Sequence, residues 1–365
     1  MKKVLFLANH YLTLYSFRRE LIEKLCREGC EVVLSIPADP ENEYFRKLGC
    51  RIVETEVARR SLNPVKDIRL TLEYIRLLRR EKPDVIFSYT IKPNAYGSIA
   101  SRITGDRQIC NITGTGETLR HSAFVRNVVH ALYKVSIRHC EKVFFQNTSD
   151  RAYFIEHGLV REERTQMLPG SGVNLANFTP APMPDDGETR FIYIGRVMGL
   201  KGIDQFIQAA RIVREQRPDA KFYIAGFAEE GRYKELVEKS HAEGLIEYLG
   251  FRKDIGEWIK KCHCTILPSH GGEGVPNVLL ESAATGRACI ASRIPGSIDV
   301  VDEGKTGYLF TAGNAEELAD CIFRFMSLSC EQKAQMGLAG REKVERCFNR
   351  DIVIRAYMDE LDKIK

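Results

Sequence analysis

The 365-residue chain has no apolar run long enough to cross a bilayer, no C-x2-C pair, and no G-x-G-x-x-G after its first strand-like segment. A spanning helix needs about 18 or more apolar residues in succession, so a membrane-embedded helical protein is excluded. The N-terminal apolar run Val4–Ala8 stops at Asn9-His10, too short for the core of a signal peptide. The missing C-x2-C pair argues against a structural zinc site. The eleven Cys are odd in number and scattered, with Cys26/Cys30/Cys50 and Cys262-His263-Cys264 as the only clusters. Cys262 and Cys264 are expected to bracket the start of a buried strand, and so many unpaired thiols suit a reducing cytosol. The missing glycine fingerprint counts against a nicotinamide-dependent dehydrogenase. No RNP-type aromatic motif or zinc finger supports a nucleic-acid binder. Internal repeats and low-complexity segments are also absent.

What is present is an ordinary globular composition, 44% hydrophobic and 28% charged, in a length that suggests two domains. The net charge of +5 is unevenly spread. Before Pro180 there are 28 Lys+Arg and 20 Asp+Glu; after it, 26 and 29. The excess concentrates between Val57 and Lys142, with 16 cations against 7 acids. Such asymmetry suggests that the first half meets an anionic partner. Segments such as Arg76-Leu77-Leu78-Arg79-Arg80 and Leu119–Arg126 mix cations with apolar residues, as do chains lying on an anionic membrane surface. Solvated helix faces are the alternative.

Short apolar runs alternate with helical periodicity. Val4–Ala8, Val32–Ile36, Val85–Tyr89, Ile109–Ile112 and Val143–Gln146 read as buried parallel strands. Between them, Phe17–Arg27 sets Leu21, Ile22 and Leu25 on one helical face. Val65–Arg80 sets Ile68, Leu72, Ile75 and Leu78 on one face, and Val125–His139 sets Val128, Val129, Leu132 and Val135. A second series follows: Phe191–Ile194, Phe222–Ala225, Tyr248–Leu249, Thr265–Leu267, Cys289–Ala291 and Tyr308–Phe310 as strands, with helices at Ile203–Gln216, Tyr233–Ala242 and Val278–Thr285. Strand–helix alternation means right-handed βαβ units and a doubly wound sheet. Pro169–Arg190 holds four Pro and three Gly and reads as a linker. The expected organisation is a Rossmann-like domain at 1–170, a linker at 171–190, a second Rossmann-like domain at 191–346, and a C-terminal helical segment at 347–365 crossing back to the first domain.

In α/β sheets ligands bind beyond the carboxyl ends of strands. Gly195-Arg196 follows a strand there, and Lys201-Gly202 precedes a helix. A strand-end glycine admits a ligand to the backbone, and two cations suit a diphosphate. Taken alone, the loop is equally a solvated one with incidental cations. The second constellation is Pro268-Ser269-His270-Gly271-Gly272-Glu273-Gly274-Val275-Pro276-Asn277-Val278-Leu279-Leu280-Glu281. A glycine-rich loop leads into a helix with Pro276 expected at its first position. Free N–H groups at that helix start favour an anion. Glu273, in the loop, can accept from sugar hydroxyls. Glu281, on the helix, can hold a ribose diol. The alternative is a solubilising loop residue and a surface residue.

Together, Gly-Arg…Lys-Gly, then E-G-V-P-N-V-L-L-E, then A-x-x-I-P-G-S-x-x-V-V-x-x-G-x-x-G, and the segment Gly170-Ser171-Gly172-Val173-Asn174…Phe178-Thr179-Pro180, resemble the retaining family 4 glycosyltransferases. The likeness covers nearly the whole chain. It implies the α/β GT-B fold, two Rossmann-like doubly wound domains facing a central cleft and closing over the donor. It also implies roles. Arg196 and Lys201 neutralise the donor diphosphate, Glu273 faces the donor sugar, and these three form the catalytic set. Glu281 holds the ribose. Gly274, Val275 and Pro276 cap the phosphates, Gly195, Asn277 and Val278 belong to the donor-binding set, and Arg252, in Gly250-Phe251-Arg252, stands beside the base. The phosphate-neutralising groups replace a metal, so no cofactor is expected.

The first half is similar to a subgroup that extends lipid-linked glycans. Arg60-Ser61-Leu62-Asn63-Pro64, Tyr89-Thr90-Ile91-Lys92-Pro93-Asn94…Gly97 and Gly114-Thr115-Gly116 carry that likeness. Its relatives are bacterial N-acetylgalactosaminyltransferases acting on undecaprenyl-diphosphate sugars, and capsule-assembly enzymes. The likeness implies a nucleotide-sugar (UDP) donor and a lipid-linked or oligosaccharide acceptor. It also implies a cytoplasmic protein peripheral on the inner membrane face, with no nucleic acid as partner. Candidate acceptor-side residues are Asn9, His10, Thr13, Arg60, Lys92, Asn94, Gly114 and Glu117. The first loop departs from the family's Gly-Gly, and the family's later histidine is not evident near Thr113-Gly114. His10 and Glu117 stand in for those contacts, His10 being equally readable as a structural loop residue. A sugar-nucleotide epimerase, which shares the architecture, is the competing enzyme reading. A non-catalytic nucleic-acid binder is the alternative from another class.

Overall fold

The computed structural model describes residues 1–57, 63–114, 123–228 and 231–364. They form two compact units. The first comprises Met1–Ser171 and Val353–Lys365, the second Gly172–Ile352.

The first unit carries seven parallel strands: β1 (Lys3–Leu7), β2 (Glu31–Ile36), β3 (Arg51–Glu54), β4 (Val85–Tyr89), β5 (Gln108–Ile112), β6 (Lys142–Phe145) and β7 (Thr165–Met167). Their order is β3-β2-β1-β4-β5-β6-β7. Val4 of β1 is in register with Val32 on one side and Val85 on the other. The chain therefore reverses its direction of travel across the sheet between β1 and β4. Six helices connect these strands: α1 (Tyr11–Arg27), α2 (Glu43–Lys47), α3 (Pro64–Glu81), α4 (Ile91–Thr104), α5 (Ala123–Ser136) and α6 (Thr148–Glu156). Alternate β1 residues point to opposite faces. Val4 and Phe6 join the cluster holding Leu21, Ile22 and Leu25 of α1, while Leu5 and Leu7 join that of Leu70, Tyr74, Leu77 and Leu78 of α3. So α1 and α3 cover opposite faces of the sheet. Each such fully buried side chain contributes about 1.5–3 kcal/mol.

The second unit repeats the plan with β8 (Thr189–Ile194), β9 (Ala220–Ala225), β10 (Glu247–Gly250), β11 (Cys264–Leu267), β12 (Ala288–Ser292) and β13 (Gly307–Phe310), in the order β10-β9-β8-β11-β12-β13. Its helices are α7 (Ile203–Gln216), α8 (Gly231–Ala242), α9 (Ile255–Lys261), α10 (Asn277–Ala284), α11 (Ser297–Val300), α12 (Ala315–Met326) and α13 (Cys330–Cys347). The last helix, α14 (Arg350–Asp362), begins in the second unit and continues into the first from Val353. No helix among the described residues is long and apolar enough to cross a membrane.

Several expectations are corrected. Helix α1 starts at Tyr11 rather than Phe17, because the His10 side chain caps it. β3 and β7 are short edge strands without an apolar run to announce them. The core face of α3 is Leu70, Tyr74, Leu77 and Leu78, whereas Ile68 and Leu72 are 62% and 46% exposed. On α5, Val129 and Tyr133 are buried but Val128 and Val135 face solvent. Both helices carry apolar residues on two faces, and periodicity alone does not say which one meets the sheet. The proline-rich segment is no free linker. From Gly172 it belongs to the second unit, where buried Arg287 donates to the Ala181 and Pro182 carbonyls. His263, between Cys262 and Cys264, is a buried clasp in the same strap. Its Nδ1 accepts from the Arg190 N–H at 3.0 Å, and its Nε2 meets the Pro184 carbonyl at 3.0 Å. Burial pushes this imidazole down to about 4. Cys264 opens β11, and Cys262 lies buried just before it.

Candidate functional site

In the second unit the strand order reverses between β8 and β11, and all strand pairs there are parallel. The segments leaving β8 and β11 therefore share one edge of the sheet, the place where open α/β sheets bind ligands. After β8 come Gly195, Arg196 and a 3-10 turn, Gly199–Lys201. After β11 comes the loop Pro268–Gly274. The two segments are stitched together by backbone. The His270 N–H donates to the Leu200 carbonyl at 2.9 Å. Gly202, at φ +73°, lies so close that a Cβ there would sit 1.9 Å from the Pro268 carbonyl oxygen. Gly296 does the same for the far side of the loop, where a Cβ would meet the Gly274 oxygen at 1.6 Å. Only residues without a Cβ permit this convergence.

The convergence brings Lys201 and Glu273, 72 positions apart, into an ion pair. Both side chains stay partly open to solvent, at 22% and 15%. The Ser269 hydroxyl donates to the same Glu273 oxygen at 2.8 Å. His270 Nε2 meets the Gln205 amide oxygen at 2.8 Å. Half-buried Arg196 offers its carbonyl to the Tyr193 hydroxyl at 2.6 Å. That phenol is held above its ordinary range by burial and by the Glu273 carboxylate, with Arg196 opposing. Both charges therefore bear on one spot above β8. Ser269, His270, Gln205 and Tyr193 were not singled out from sequence, although Ser269 and His270 lie inside the quoted loop.

Helix α10 begins at Asn277, so Pro276 is its N-cap and not its first residue. The reason is its ψ of 114°, extended rather than helical. Pro276, Val275 and Gly274 are buried, while Asn277 and Val278 are half-buried. Asn277 donates to the Gly172 carbonyl at 3.4 Å. Glu281 is half-buried one turn on. Burial pushes its carboxyl up to about 7, and the Arg350 charge works against that rise. Arg350 was missed; it sits at the start of α14, far away in sequence, and donates to the Gly172 carbonyl at 3.0 Å. Arg252, after β10, is exposed and engaged by Asp254 at 2.7 and 2.8 Å. Beside it the exposed rings of Phe251 and Phe227 meet edge to face at 6.5 Å.

In the first unit the reversal lies between β1 and β4. Asn9, His10 and Thr13 follow β1. His10 Nδ1 accepts from the Leu12 N–H at 3.0 Å, which leaves the proton on Nε2 and makes that atom a donor. Thr90 follows β4 at φ +70°, ψ +165°, a region costly for any residue with a Cβ, and its hydroxyl is buried without a partner. Asn94 is a buried bracket. It accepts from Ser88 at 2.7 Å and donates to the Asn111 carbonyl at 2.8 Å. Thr90, Asn94, Thr113 and Gly114 line one cavity of about 40 Å³ together with His130 and Tyr153. Lys92 turns away from it to pair with Asp67 of α3 at 2.6 Å. A missed feature is Arg18, fully buried. Its Nε donates to the Tyr357 hydroxyl at 3.0 Å, and its guanidinium lies over the rings of Tyr89 and Tyr357. Arg60 and Glu117 lie outside the described residues. Among the described residues no group of three His, Cys, Asp or Glu is placed to hold a metal.

Comparison with known proteins shows the family and the fold. The family model "Glycosyl transferases group 1" matches residues 178–343, and "Glycosyl transferase 4-like domain" matches 16–170. A Campylobacter jejuni N,N'-diacetylbacillosaminyl-diphospho-undecaprenol α-1,3-N-acetylgalactosaminyltransferase is 25% identical over 98% of each chain. An Escherichia coli UDP-Gal:α-D-GlcNAc-diphosphoundecaprenol α-1,3-galactosyltransferase is 24% identical over 79% of this chain and 80% of that one. Among solved structures, Anabaena HepE, crystallised with UDP and glucose, covers all of both chains at a TM-score of 0.82 and 19% identity.

Proposed function

Because the chain belongs to the glycosyltransferases of GT-B fold, we propose that it is a retaining enzyme of family 4 using a UDP sugar. It moves a hexosyl or N-acetylhexosaminyl group onto a glycan acceptor carried on a polyprenyl diphosphate, during surface-polysaccharide or glycan assembly. The second unit holds the nucleotide sugar and the first the acceptor. The enzyme works at the cytoplasmic face of the membrane. The observation that carries the reading is the Lys201–Glu273 pair at the β8/β11 reversal. An ammonium that is partly open and already neutralised by a carboxylate is poised to change partners. A diphosphate takes the ammonium, and the released Glu273 carboxylate accepts from a donor-sugar hydroxyl. The names of the Campylobacter and Escherichia relatives support the lipid-linked acceptor.

The chemistry follows from charge. The bond from the sugar's anomeric carbon to the leaving phosphate oxygen breaks while a bond to the acceptor oxygen forms on the same face. The acceptor's proton passes to the departing phosphate. Arg196, Lys201 and the N–H groups at the start of α10 supply fixed positive potential where leaving-group charge develops. They do the work a divalent metal would do, so the enzyme needs none. Glu281, desolvated and beside Arg350, accepts from the ribose hydroxyls. The exposed rings of Phe227 and Phe251 offer the base a flat apolar surface.

A screen of UDP-, GDP- and ADP-sugars by calorimetry, followed by acceptor trials, tests this reading. Binding of a UDP sugar, with nucleotide released only on adding a polyprenyl-diphosphate glycan, is expected. Conversion of the donor to its epimer without acceptor would instead favour an epimerase.

A further inference from the structure

Helix α3 has two apolar faces. One is the core face of Leu70, Tyr74, Leu77 and Leu78. The other points to solvent: Val65, Ile68 and Leu72, spaced i, i+3, i+7, are 75%, 62% and 46% exposed. Two turns of the helix thus show water an apolar stripe, where scattered single residues would need no explanation. The stripe runs among Lys66, Arg69, Arg76, Arg79 and Arg80, all exposed. Neighbouring α4 and α5, on the same side of the sheet, extend the pattern with exposed Ile103, Val128 and Val135.

Negative charge on this layer is already consumed. Asp67 is held by Lys92 at 2.6 Å, and Glu73 by Arg69 at 3.0 Å. Glu81 is buried among Lys3, Arg51 and Arg80. Helices α4 and α5 contain no acid at all. The three helices carry 9 Lys+Arg against 3 Asp+Glu. A second copy of the same patch would set like charge against like. A nucleic acid would leave the leucine and β-branched side chains without a role. An anionic bilayer surface satisfies both, since apolar side chains enter the headgroup boundary while cations meet lipid phosphates.

We propose that the outward face of α3, continued by α4 and α5, is the surface by which the first unit docks on anionic phospholipid. The proposal deepens the lipid-linked-acceptor reading and rests on it for the biological setting. It names Val65, Ile68 and Leu72 as the inserting residues and Arg76 and Arg79 as the phosphate contacts.

The test is sedimentation of the full chain with vesicles of phosphatidylcholine, alone or mixed with phosphatidylglycerol. Transfer to a water-soluble acceptor is measured in parallel. Binding to the mixed vesicles only, weakened by salt, is expected. Ile68→Asp with Leu72→Asp should lower partitioning by about tenfold or more. Arg76→Gln with Arg79→Gln should lower it by about fivefold per charge. All four sites are exposed, so folding does not depend on them; Ile68→Ser with Leu72→Ser is the milder check. Unchanged turnover on the soluble acceptor establishes an intact fold. No binding by the wild type, binding insensitive to salt, or variants that bind as tightly would overturn the proposal. So would a solution dimer that Ile68→Asp dissociates while vesicle binding persists. Absence of transfer alongside variant-sensitive vesicle binding counts against the catalytic reading and not against this surface.

Discussion

The two sheet reversals share a topology and differ in material. At β8/β11 the leading groups are charged and partly open: Lys201, Glu273 and Arg196. At β1/β4 they are mostly neutral and enclosed. Arg18 has aromatic faces and a phenol as partners, His10 serves as a helix cap, and Thr90 holds a strained backbone. An open ion pair can exchange its partner for a phosphate at small cost. A buried network cannot, and provides shape instead. The difference fits the proposed division of labour, with a diphosphate at the charged reversal and an acceptor read by contour and hydroxyls at the enclosed one.

The sharpest way to break this contrast is Lys201→Ala. Loss of a group stabilising leaving charge, about 3–4 kcal/mol, should slow transfer by two to three powers of ten. Stopped-time assays with soluble acceptor would show it; near wild-type turnover would remove the charged site from the chemistry. Next is Glu281. Its carboxyl is held near 7 in the fold against an ordinary 4.5. The folded state therefore keeps a proton that the unfolded state has lost. Stability is full below 4.5 and declines as pH rises from there through 7, by about 3 kcal/mol. Glu281→Gln should flatten that decline in thermal melts. Donor affinity in the wild type should rise between pH 6 and 8 as the carboxylate forms, and Glu281→Gln should abolish this rise.

A third change probes the neutral side. Thr90→Gly should relieve backbone strain, stabilising the protein by about 1 kcal/mol, while raising the acceptor KM because the unpartnered hydroxyl is lost. No gain in Tm would deny the strain; an unchanged KM would deny the contact. The smallest effect is expected from Arg252→Ala. The guanidinium is exposed and already engaged by Asp254, so donor affinity should shift by no more than a few-fold.

Much of this was legible in the chain. The alternation of buried runs and helices announced both sheets, because parallel strands covered on both faces must be apolar throughout. The glycine-rich stretch before Glu281 announced a loop that approaches other backbone. Other features were not legible, each for a local reason. β7 is three residues at a sheet edge, with no apolar signature. Arg350 reaches the Glu281 neighbourhood through the tertiary fold, 69 positions away along the chain. Lys92 and Asn94 are grouped as acceptor residues because both lie in the stretch Tyr89–Asn94 that resembles the lipid-linked-glycan enzymes. A helix sends adjacent side chains in different directions, so Lys92 went to Asp67 and Asn94 to the core.

Composition, periodicity and the glycine-rich loop were enough for two units, most of the strands and the charged residues that follow β8 and β11. These depend on which residues water rejects and which backbone angles glycine permits. The tertiary structure alone decided the pairing of Lys201 with Glu273 and the choice of sheet-facing side on α3. Both depend on packing between segments distant in sequence. A helix with two apolar faces has no preference between them until a particular set of strand side chains is there to meet one.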